Sequence, residues 1–210
     1  ERERMKNKRK KGSKTCSARL ARNNVKGDSI EKRPVEINER NEVGHWEMDL
    51  VVGAKGGKKA LLVLTERKTR YEYIILLKDK SQKSVTWALN KIERQYGSKL
   101  FRETFKTITC DNGSEFLDFQ SLEKSLFNKT RRTKLYYAHP FSSFERGSNE
   151  NANRLIRRLL PKKTTFDTLT QNDINRLAEW MNRYPRHIFK GKSARHMART
   201  EKLHFIKIAA

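Results

Sequence analysis

Short apolar runs alternate with polar turns through the first half of the chain. Three runs rich in β-branched and aromatic residues occupy residues 46–52, 60–65 and 71–77, and a polar turn at residues 66–70 separates the second run from the third. Short runs of this composition, bounded by turn residues, are typical of strands. The pattern therefore predicts a meander of three strands.

The apolar spacing then changes to that of a helix. Within residues 81–94, apolar side chains recur at intervals of three and four and share one helix face: Val85, Ala88, Leu89 and Ile92. Short strands are expected at residues 107–110 and 134–137. Between them, three apolar residues mark a second helix: Phe119, Leu122 and Leu126. This order predicts an α/β fold, with an RNase H-like, mixed five-stranded sheet flanked by helices.

Two further helices are expected to cover this sheet. One extends from about residue 145 to residue 160, because Pro161 cannot continue a helix. The other begins at a capping box, in which Thr170 and Asp173 each accept a hydrogen bond from the backbone of the other. The tryptophans are expected in the core: Trp46, Trp87 and Trp180.

By composition the chain divides into an arm, one folded domain and a short tail. Residues 1–41 are rich in Lys and Arg and lack the periodicity of a strand or a helix. This composition predicts a basic linker or arm that is flexible or associated with DNA. Residues 42–200 contain all the predicted strands and helices, and residues 201–210 form a C-terminal tail.

The charge of the chain indicates its class of partner. The 210 residues carry a formal net charge of +24, which predicts a polyanionic partner because counterion release favours binding to phosphates. No apolar run approaches the roughly 18 residues that a membrane-spanning helix needs, so nucleic acid is favoured over a membrane. Cys16 and Cys110 match no zinc or redox spacing and are expected as free thiols in a reducing cytoplasm. The first residue, Glu1, and the lack of a secretory leader predict a fragment of a longer protein.

Two aspartates are placed where they could hold a cation. Asp49 is inside the first apolar strand, where an unpaired carboxylate is costly to desolvate. Asp111 directly follows the strand at residues 107–110, and Gly113 after it would let the backbone come close to a ligand. Each also has an ordinary explanation. Asp49 could face solvent on an edge strand, and Asp111 could be a turn residue.

A third acid, Glu150, is in the helix predicted after residue 145. At helical spacing it shares a face with residues that can contact DNA: Asn153, Arg154 and Arg157. A solvated face held by salt bridges is the alternative. Together the three acids offer the oxygen ligands that Mg²⁺ and Mn²⁺ prefer, and there is no His and Cys cluster to suggest zinc. Two such ions, roughly 4 Å apart, support phosphodiester cleavage and strand transfer.

Four motifs contain or adjoin these acids. They are GHWE before Asp49, LTER at residues 64–67, DNGSEF at residues 111–116 and HPFSSFERGSNEN at residues 139–151. Through them, residues 44–198 resemble the catalytic domain of bacterial insertion-sequence transposases of the IS-thirty family.

This resemblance implies both a fold and an activity. It implies an RNase H-like fold, a DDE active site with two Mg²⁺ or Mn²⁺ ions, and helix-turn-helix domains upstream that bind the terminal repeats of the element. The catalytic and metal-binding residues would be Asp49, Asp111 and Glu150. One residue departs from the pattern, because Met48 stands where the family is expected to have glycine.

The resemblance leaves two residues to choose from for the third acid. Glu145 gives the shorter interval after Asp111, which is the interval usually described for the family. Glu150 matches the corresponding segment of retroviral integrases, with Pro140 ten residues before it and Gly147 three residues before it. A basic residue seven positions after the acid is typical of DDE enzymes, and of the two only Glu150 has one. Glu150 is therefore preferred.

The implied reaction is cleavage at the transposon ends, followed by transfer of their 3′-hydroxyls into target DNA. Five residues near the acids are predicted to contact DNA: Asn112, Arg146, Asn153, Arg154 and Arg157. The expected partners are the terminal inverted repeats and target DNA, and the expected assembly is a homodimer or larger, located at the bacterial nucleoid. Two other functions remain open: an RNase H-like nuclease that only hydrolyses, and a basic nucleic-acid-binding protein without catalysis.

Overall fold

A five-stranded sheet forms the centre of the computed structural model, which describes residues 27–140 and 142–209. The strands are β1 (His45–Val52), β2 (Ala60–Glu66), β3 (Glu72–Leu77), β4 (Thr107–Cys110) and β5 (Lys134–Tyr137). Their spatial order is β3-β2-β1-β4-β5. Strands β1, β2 and β3 pair antiparallel, whereas β4 pairs parallel with both β1 and β5. The predicted mixed five-stranded sheet is confirmed.

Helices connect and cover these strands. The α-helices are α1 (Glu36–Glu39), α2 (Gln82–Tyr96), α3 (Ser98–Thr104), α4 (Phe119–Glu123), α5 (Gly147–Leu159), α6 (Gln171–Arg183) and α7 (Ala194–Thr200). Short 3-10 helices occupy Ile30–Lys32, Ser114–Phe116, Ser143–Arg146 and His187–Phe189. None of the helices in the described part combines the length and the apolar character that crossing a membrane requires.

The alternation of side chains along β1 separates two helical layers. Trp46 and Met48 are fully buried in the core that includes the apolar face of α2. Val51 points the other way, into a second core formed with α5 and α6. Residues of one parity on a strand share a face, so Asp49 is on the side of α5. The methionine that replaces the expected glycine fills the α2 core and leaves the strand intact.

Local capping explains where the main helices begin. The side chain of Ser81 accepts a hydrogen bond from the backbone N–H of Ser84 at the start of α2. The predicted capping box of Thr170 and Asp173 is present at the start of α6. Helix α4 is shorter than its apolar spacing predicts, because Lys124 is already extended. Leu126 is therefore outside the helix and exposed.

One of the three tryptophans departs from the core prediction. Trp46 is fully buried, and its indole N–H donates to the carbonyl of Thr104 at 2.7 Å. Trp87 is 48% exposed, and the ammonium group of Lys91 lies 5.3 Å from its ring centroid. Trp180 is partly buried against the second core. The prediction for Trp87 is wrong, because this residue points away from the buried face of α2.

Both ends of the described chain pack against the sheet. The part of the predicted arm at residues 1–26 lies outside the described residues. From Gly27 onward the segment is folded, since Ser29 forms a parallel bridge with Tyr137 and the buried Arg33 donates to the hydroxyl of Thr109 at 2.9 Å. In the expected tail, Leu203 and Ile208 are buried in the α2 core. These contacts extend the folded region beyond the expected limits of 42 and 200.

Side-chain amides of α6 cover the outer edge of β3. The Asn182 amide accepts from the backbone N–H of Glu72 at 2.8 Å and donates to its carbonyl at 2.9 Å. The Gln171 amide accepts from the N–H of Leu76 at 2.9 Å and donates to the carbonyl of Ile74 at 3.2 Å. Four backbone groups of this edge strand are thus paired with side chains of α6.

Candidate active site

The register of β1 and β4 brings two aspartates to the same level of the sheet. Glu47 on β1 is paired with Thr109 on β4, and the two strands are parallel. Asp49 lies two residues further along β1, and Asp111 lies two residues beyond Thr109, directly after the end of β4, so the register brings them to the same level. Asp111 is at the carboxyl end of its strand, where the sequence places it.

Arg146 joins the two aspartates. Its Nη1 lies 3.2 Å from Oδ1 of Asp49, and its Nη2 lies 2.9 Å from Oδ2 of Asp111. Only 14% of the arginine side chain is exposed. Burial alone would lower the pKa of Arg146, but the charges of Asp49 and Asp111 outweigh it and raise this pKa. A cation therefore already stands between the carboxylates that the sequence suggests as metal ligands.

Helix α5 completes the surroundings of Asp49. The Asn153 amide donates to Oδ2 of Asp49 at 2.5 Å, so both carboxylate oxygens have a partner. Glu150 is exposed and precedes Asn153 by about one helical turn on the same face. Within the described residues, no three His, Cys, Asp or Glu side chains are close enough to hold a metal ion. The structure thus brings Asp49 and Asp111 together, and leaves Glu150 on the neighbouring helix face.

Glu145, the other candidate for the third acid, has a different environment. Its carboxylate accepts from the backbone N–H of His139 at 2.8 Å and is 2.7 Å from the Nδ1 atom of the same residue. The carboxylate of Glu31 is 3.1 Å from Nε2 of His139. Hydrogen bonds from the imidazole to Glu145 and Glu31 raise the pKa of His139. His139 thus connects Glu145, in the segment before α5, to Glu31 in the folded N-terminal segment.

The residues predicted to contact DNA make several different contacts. Besides Arg146 and Asn153, which contact Asp49, Asn112 donates to the carbonyl of Ala138 at 3.0 Å. Arg157 donates to the carbonyl of Val52 at 2.7 Å, which ties the end of α5 to β1. Arg154 is exposed, and its guanidinium contacts the side chain of Asn151. Of the five, Arg154 is the most accessible to a ligand.

A buried acid that sequence reasoning missed lies beside the aspartates. Glu47 is fully buried, and its Oε2 accepts from the backbone N–H of Asn149 at 3.0 Å, in the first turn of α5. Its Oε1 lies 3.6 Å from Nε of Arg67, which is also buried. Burial lowers the pKa of Arg67, and the charge of Glu47 opposes that effect. The signal was available, because Glu47 shares its strand face with Asp49.

Two other residues of the first two motifs, Glu66 and His45, hold the backbone in place. Glu66 accepts hydrogen bonds from the backbone of Gly44, Lys68 and Thr69 and from the Thr69 hydroxyl, which shapes the turn between β2 and β3. Nδ1 of His45 lies 2.8 Å from the hydroxyl of Thr107 at the start of β4. These contacts fix the strands that carry the aspartates.

Comparisons with known proteins agree with this architecture. Residues 39–136 match the integrase core domain family, and that match includes Asp49 and Asp111 but ends before Glu145 and Glu150. The chain is 38% identical over 170 residues to the probable transposase for insertion-like sequence element IS1161 of Streptococcus salivarius, across 80% of this chain and 45% of that protein.

Two further relatives have similar names. The chain is 38% identical over 171 residues to transposase InsI for insertion sequence element IS30A of Escherichia coli, across 81% of this chain and 42% of that protein. It is 32% identical over 181 residues to the transposase for insertion sequence element IS4351 of Bacteroides fragilis, across 84% of this chain and 50% of that protein. The chain thus spans about half the length of the curated relatives it matches, or slightly less.

Proposed function

From the premise that this chain carries an integrase core domain and is related to insertion-sequence transposases, we propose that it is the catalytic core of a DNA transposase. This relationship confirms the resemblance seen in its motifs. It would cut DNA at the transposon ends and join the resulting 3′-hydroxyls to target DNA. The observation that carries the proposal is the meeting of Asp49 and Asp111 at one cation, the guanidinium of Arg146.

The donor set suits a hard divalent cation. Both aspartates offer carboxylate oxygens, which Mg²⁺ and Mn²⁺ prefer to nitrogen or sulfur ligands. The presence of Arg146 between them supports the fit, because the space already accommodates a positive charge. We propose that Asp49, Asp111 and Glu150 hold two Mg²⁺ or Mn²⁺ ions after Arg146 withdraws. When bound, such ions activate the attacking water or 3′-hydroxyl and stabilise the leaving oxygen.

Two observations support Glu150 rather than Glu145 as the third acid. Glu150 precedes Asn153 by about one turn on the same face of α5, and the Asn153 side chain contacts Asp49. A change of rotamer would turn the Glu150 carboxylate toward Asp49. The carboxylate of Glu145 is instead held by two contacts to His139. In this proposal Asn153 orients Asp49, and Arg146 contacts a DNA phosphate after it leaves the aspartates.

The proposed partners follow from the reaction. The chain would act on the terminal inverted repeats and on target DNA, at the nucleoid of a bacterial cell. Because two transposon ends must be joined to one target, a homodimer or larger assembly is the expected form. Asn112, Arg154 and Arg157 are proposed to contact DNA with Arg146 and Asn153, and of these Arg154 is the most exposed.

A strand-transfer assay tests this function against its two rivals. We expect this chain, with Mn²⁺, to join a labelled duplex that ends in a free 3′-hydroxyl at the element end to a supercoiled plasmid. The measurement is the appearance of label in the plasmid band. Shortened oligonucleotides without joined product would instead indicate a nuclease that only hydrolyses, and binding without either product would indicate a non-catalytic protein.

Arg146→Gln should change the response of the protein to metal. Without the guanidinium, the Asp49 and Asp111 carboxylates repel each other in the metal-free protein, and Mn²⁺ no longer competes with an internal cation. We therefore expect a lower Tm without metal and a larger Mn²⁺-induced rise in Tm than in the wild type. Arg154→Gln is the matched control, because Arg154 contacts neither aspartate. An equal Mn²⁺-induced rise in all three proteins would contradict the assignment of this space to metal.

A further inference from the structure

Two tight turns lie side by side at one end of the molecule. The first turn, residues 54–57 between β1 and β2, closes with a hydrogen bond from the N–H of Gly57 to the carbonyl of Ala54 at 3.1 Å. Gly56 occupies its corner with a φ of +93°, a value that favours glycine. The second turn, residues 161–164 after α5, closes with a hydrogen bond from Thr164 to Pro161 at 2.9 Å.

Backbone contacts lock these turns together. The N–H of Ala54 donates to the carbonyl of Thr164 at 2.9 Å. The carboxylate of Asp167 accepts from the backbone N–H groups of Lys58 at 3.1 Å and Lys59 at 2.9 Å. Gly53 permits this approach, since a Cβ at that position would be 2.8 Å from the carbonyl oxygen of Thr164. The two turns therefore form one rigid unit.

The corners of both turns carry lysines. Lys55 is at the corner of the first turn, Lys162 and Lys163 are at the corner of the second, and all three are exposed. None of the three ammonium groups forms an ion pair with another residue of the described ranges. We call this group the lysine platform. Its cations are held on a fixed backbone and are available to an external anion.

The lysine platform is at the same end of the molecule as the candidate active site. Ala54 is five residues beyond Asp49 along the direction of β1, which corresponds to roughly 15 Å at strand rise. Helix α5 runs the same way, because Asn149 contacts Glu47 near its start and Arg157 contacts Val52 near its end. Both supports of the platform therefore extend from the aspartates toward the two turns.

We propose that the lysine platform binds the sugar-phosphate backbone of duplex DNA about five base pairs from the phosphate that is cut. This inference rests on the proposed function for the position of the reacting phosphate. For a duplex whose axis lies along β1, roughly 15 Å corresponds to about four to five base pairs, because each base pair advances the axis by about 3.4 Å. Lysine acts as a point charge toward phosphate and reads no base pattern, so this contact positions the duplex without selecting its sequence.

The salt dependence of DNA binding tests the platform. The variant Lys55→Gln, Lys162→Gln, Lys163→Gln is compared with the wild type on a short duplex, without divalent metal, over a series of salt concentrations. Log K for DNA binding falls with the logarithm of the salt concentration, and each lost phosphate contact makes this slope less steep by about 0.9. We therefore expect the slope of the triple variant to be less steep by about 2 to 3. An unchanged slope would overturn the proposal.

The matched control is a second variant, which loses three lysine charges at the other end of the sheet. Lys99, Lys124 and Lys129 are exposed and lie before β4 or β5, at the amino ends of those strands and opposite to Asp111. Their replacement by Gln should make the slope of log K against log salt less steep by less than about 1. Equal losses in the two triple variants would show a general charge effect and would overturn the platform as a specific surface.

Neutral methylphosphonates locate the contact on the DNA. Replacing the phosphates four to six steps from the reacting end should weaken binding by the wild type and leave binding by the platform variant unchanged. Equal weakening in both proteins would overturn the position. Because these measurements need neither metal nor turnover, the platform can fail while strand transfer succeeds, and it can succeed while strand transfer fails.

Discussion

Asp49→Asn and Asp111→Asn should each lower DNA cleavage and strand transfer by about 10³-fold or more, because an amide is a poor ligand for a catalytic divalent ion. The shape of each side chain is kept, so the fold should persist. Affinity for duplex DNA should stay within a few-fold of the wild type, since neither aspartate supplies a positive charge to a phosphate. Cleavage and joining are measured with Mn²⁺, and binding is measured without it.

The control for these variants is Asp173→Asn. Asp173 is the N3 residue of the capping box of α6, away from the two aspartates, and asparagine keeps an oxygen that can accept from the backbone N–H of Thr170. We expect this variant to cut and join DNA like the wild type. If Asp49→Asn or Asp111→Asn cuts DNA as fast as Asp173→Asn, the reaction takes place at another site.

Glu47→Ala should destabilise the fold by about 3–5 kcal/mol, which is the usual cost of removing one partner from a buried ion pair. The substitution leaves the guanidinium of Arg67 without its carboxylate and the N–H of Asn149 without its acceptor. The free energy of unfolding in urea measures the effect, with an unchanged m value showing that the denatured state is the same.

Two other substitutions separate the role of Glu47 from a general loss of charge. Glu47→Gln keeps an oxygen that can accept from Asn149, so it should recover part of the lost stability. Glu103→Ala removes an exposed carboxylate on α3 and should change stability by less than about 0.5 kcal/mol. A cost below about 1 kcal/mol for Glu47→Ala would show that the buried contacts of Glu47 contribute little to holding α5 on β1.

The sheet was predictable from the sequence because each strand has a clear apolar run with a turn on either side. β1, β2 and β3 begin and end within one residue of their predicted limits. Helix α2 was equally clear, since the four apolar residues that predict its buried face are all buried. Helices α3 and α7 are short, and too few turns were available for a helical period to appear.

The sequence predicts that the two aspartates of the site lie together, but it does not predict the contacts of the side chains around them. Arg146 was expected to contact DNA, but the structure places it between Asp49 and Asp111. Helical spacing could not show this, because Arg146 ends a 3-10 segment and α5 begins only at Gly147. The sequence places Glu47 on the strand face of Asp49 but does not distinguish their roles, because a buried acid and a metal-binding acid on one strand face give the same sequence pattern.

The N-terminal segment shows a different limit of sequence patterns. Residues 27–41 have no sustained period, yet Arg33 is buried and contacts both Thr109 and Asn38. Single contacts between a long side chain and a distant strand leave no periodic signal. Such segments can be recognised only when the fold that receives them is known.

The covered margins of the sheet restrict how copies of this chain could associate. The side-chain amides of Gln171 and Asn182 form hydrogen bonds with backbone groups of β3, and the residues before Ile30 pair with part of β5. A second copy would therefore find these backbone groups of the two described edge strands already paired, which opposes ribbon-like growth from molecule to molecule at these positions. Copies gathered on two DNA ends would have to meet through helices or loops, and could separate again without unzipping a shared sheet.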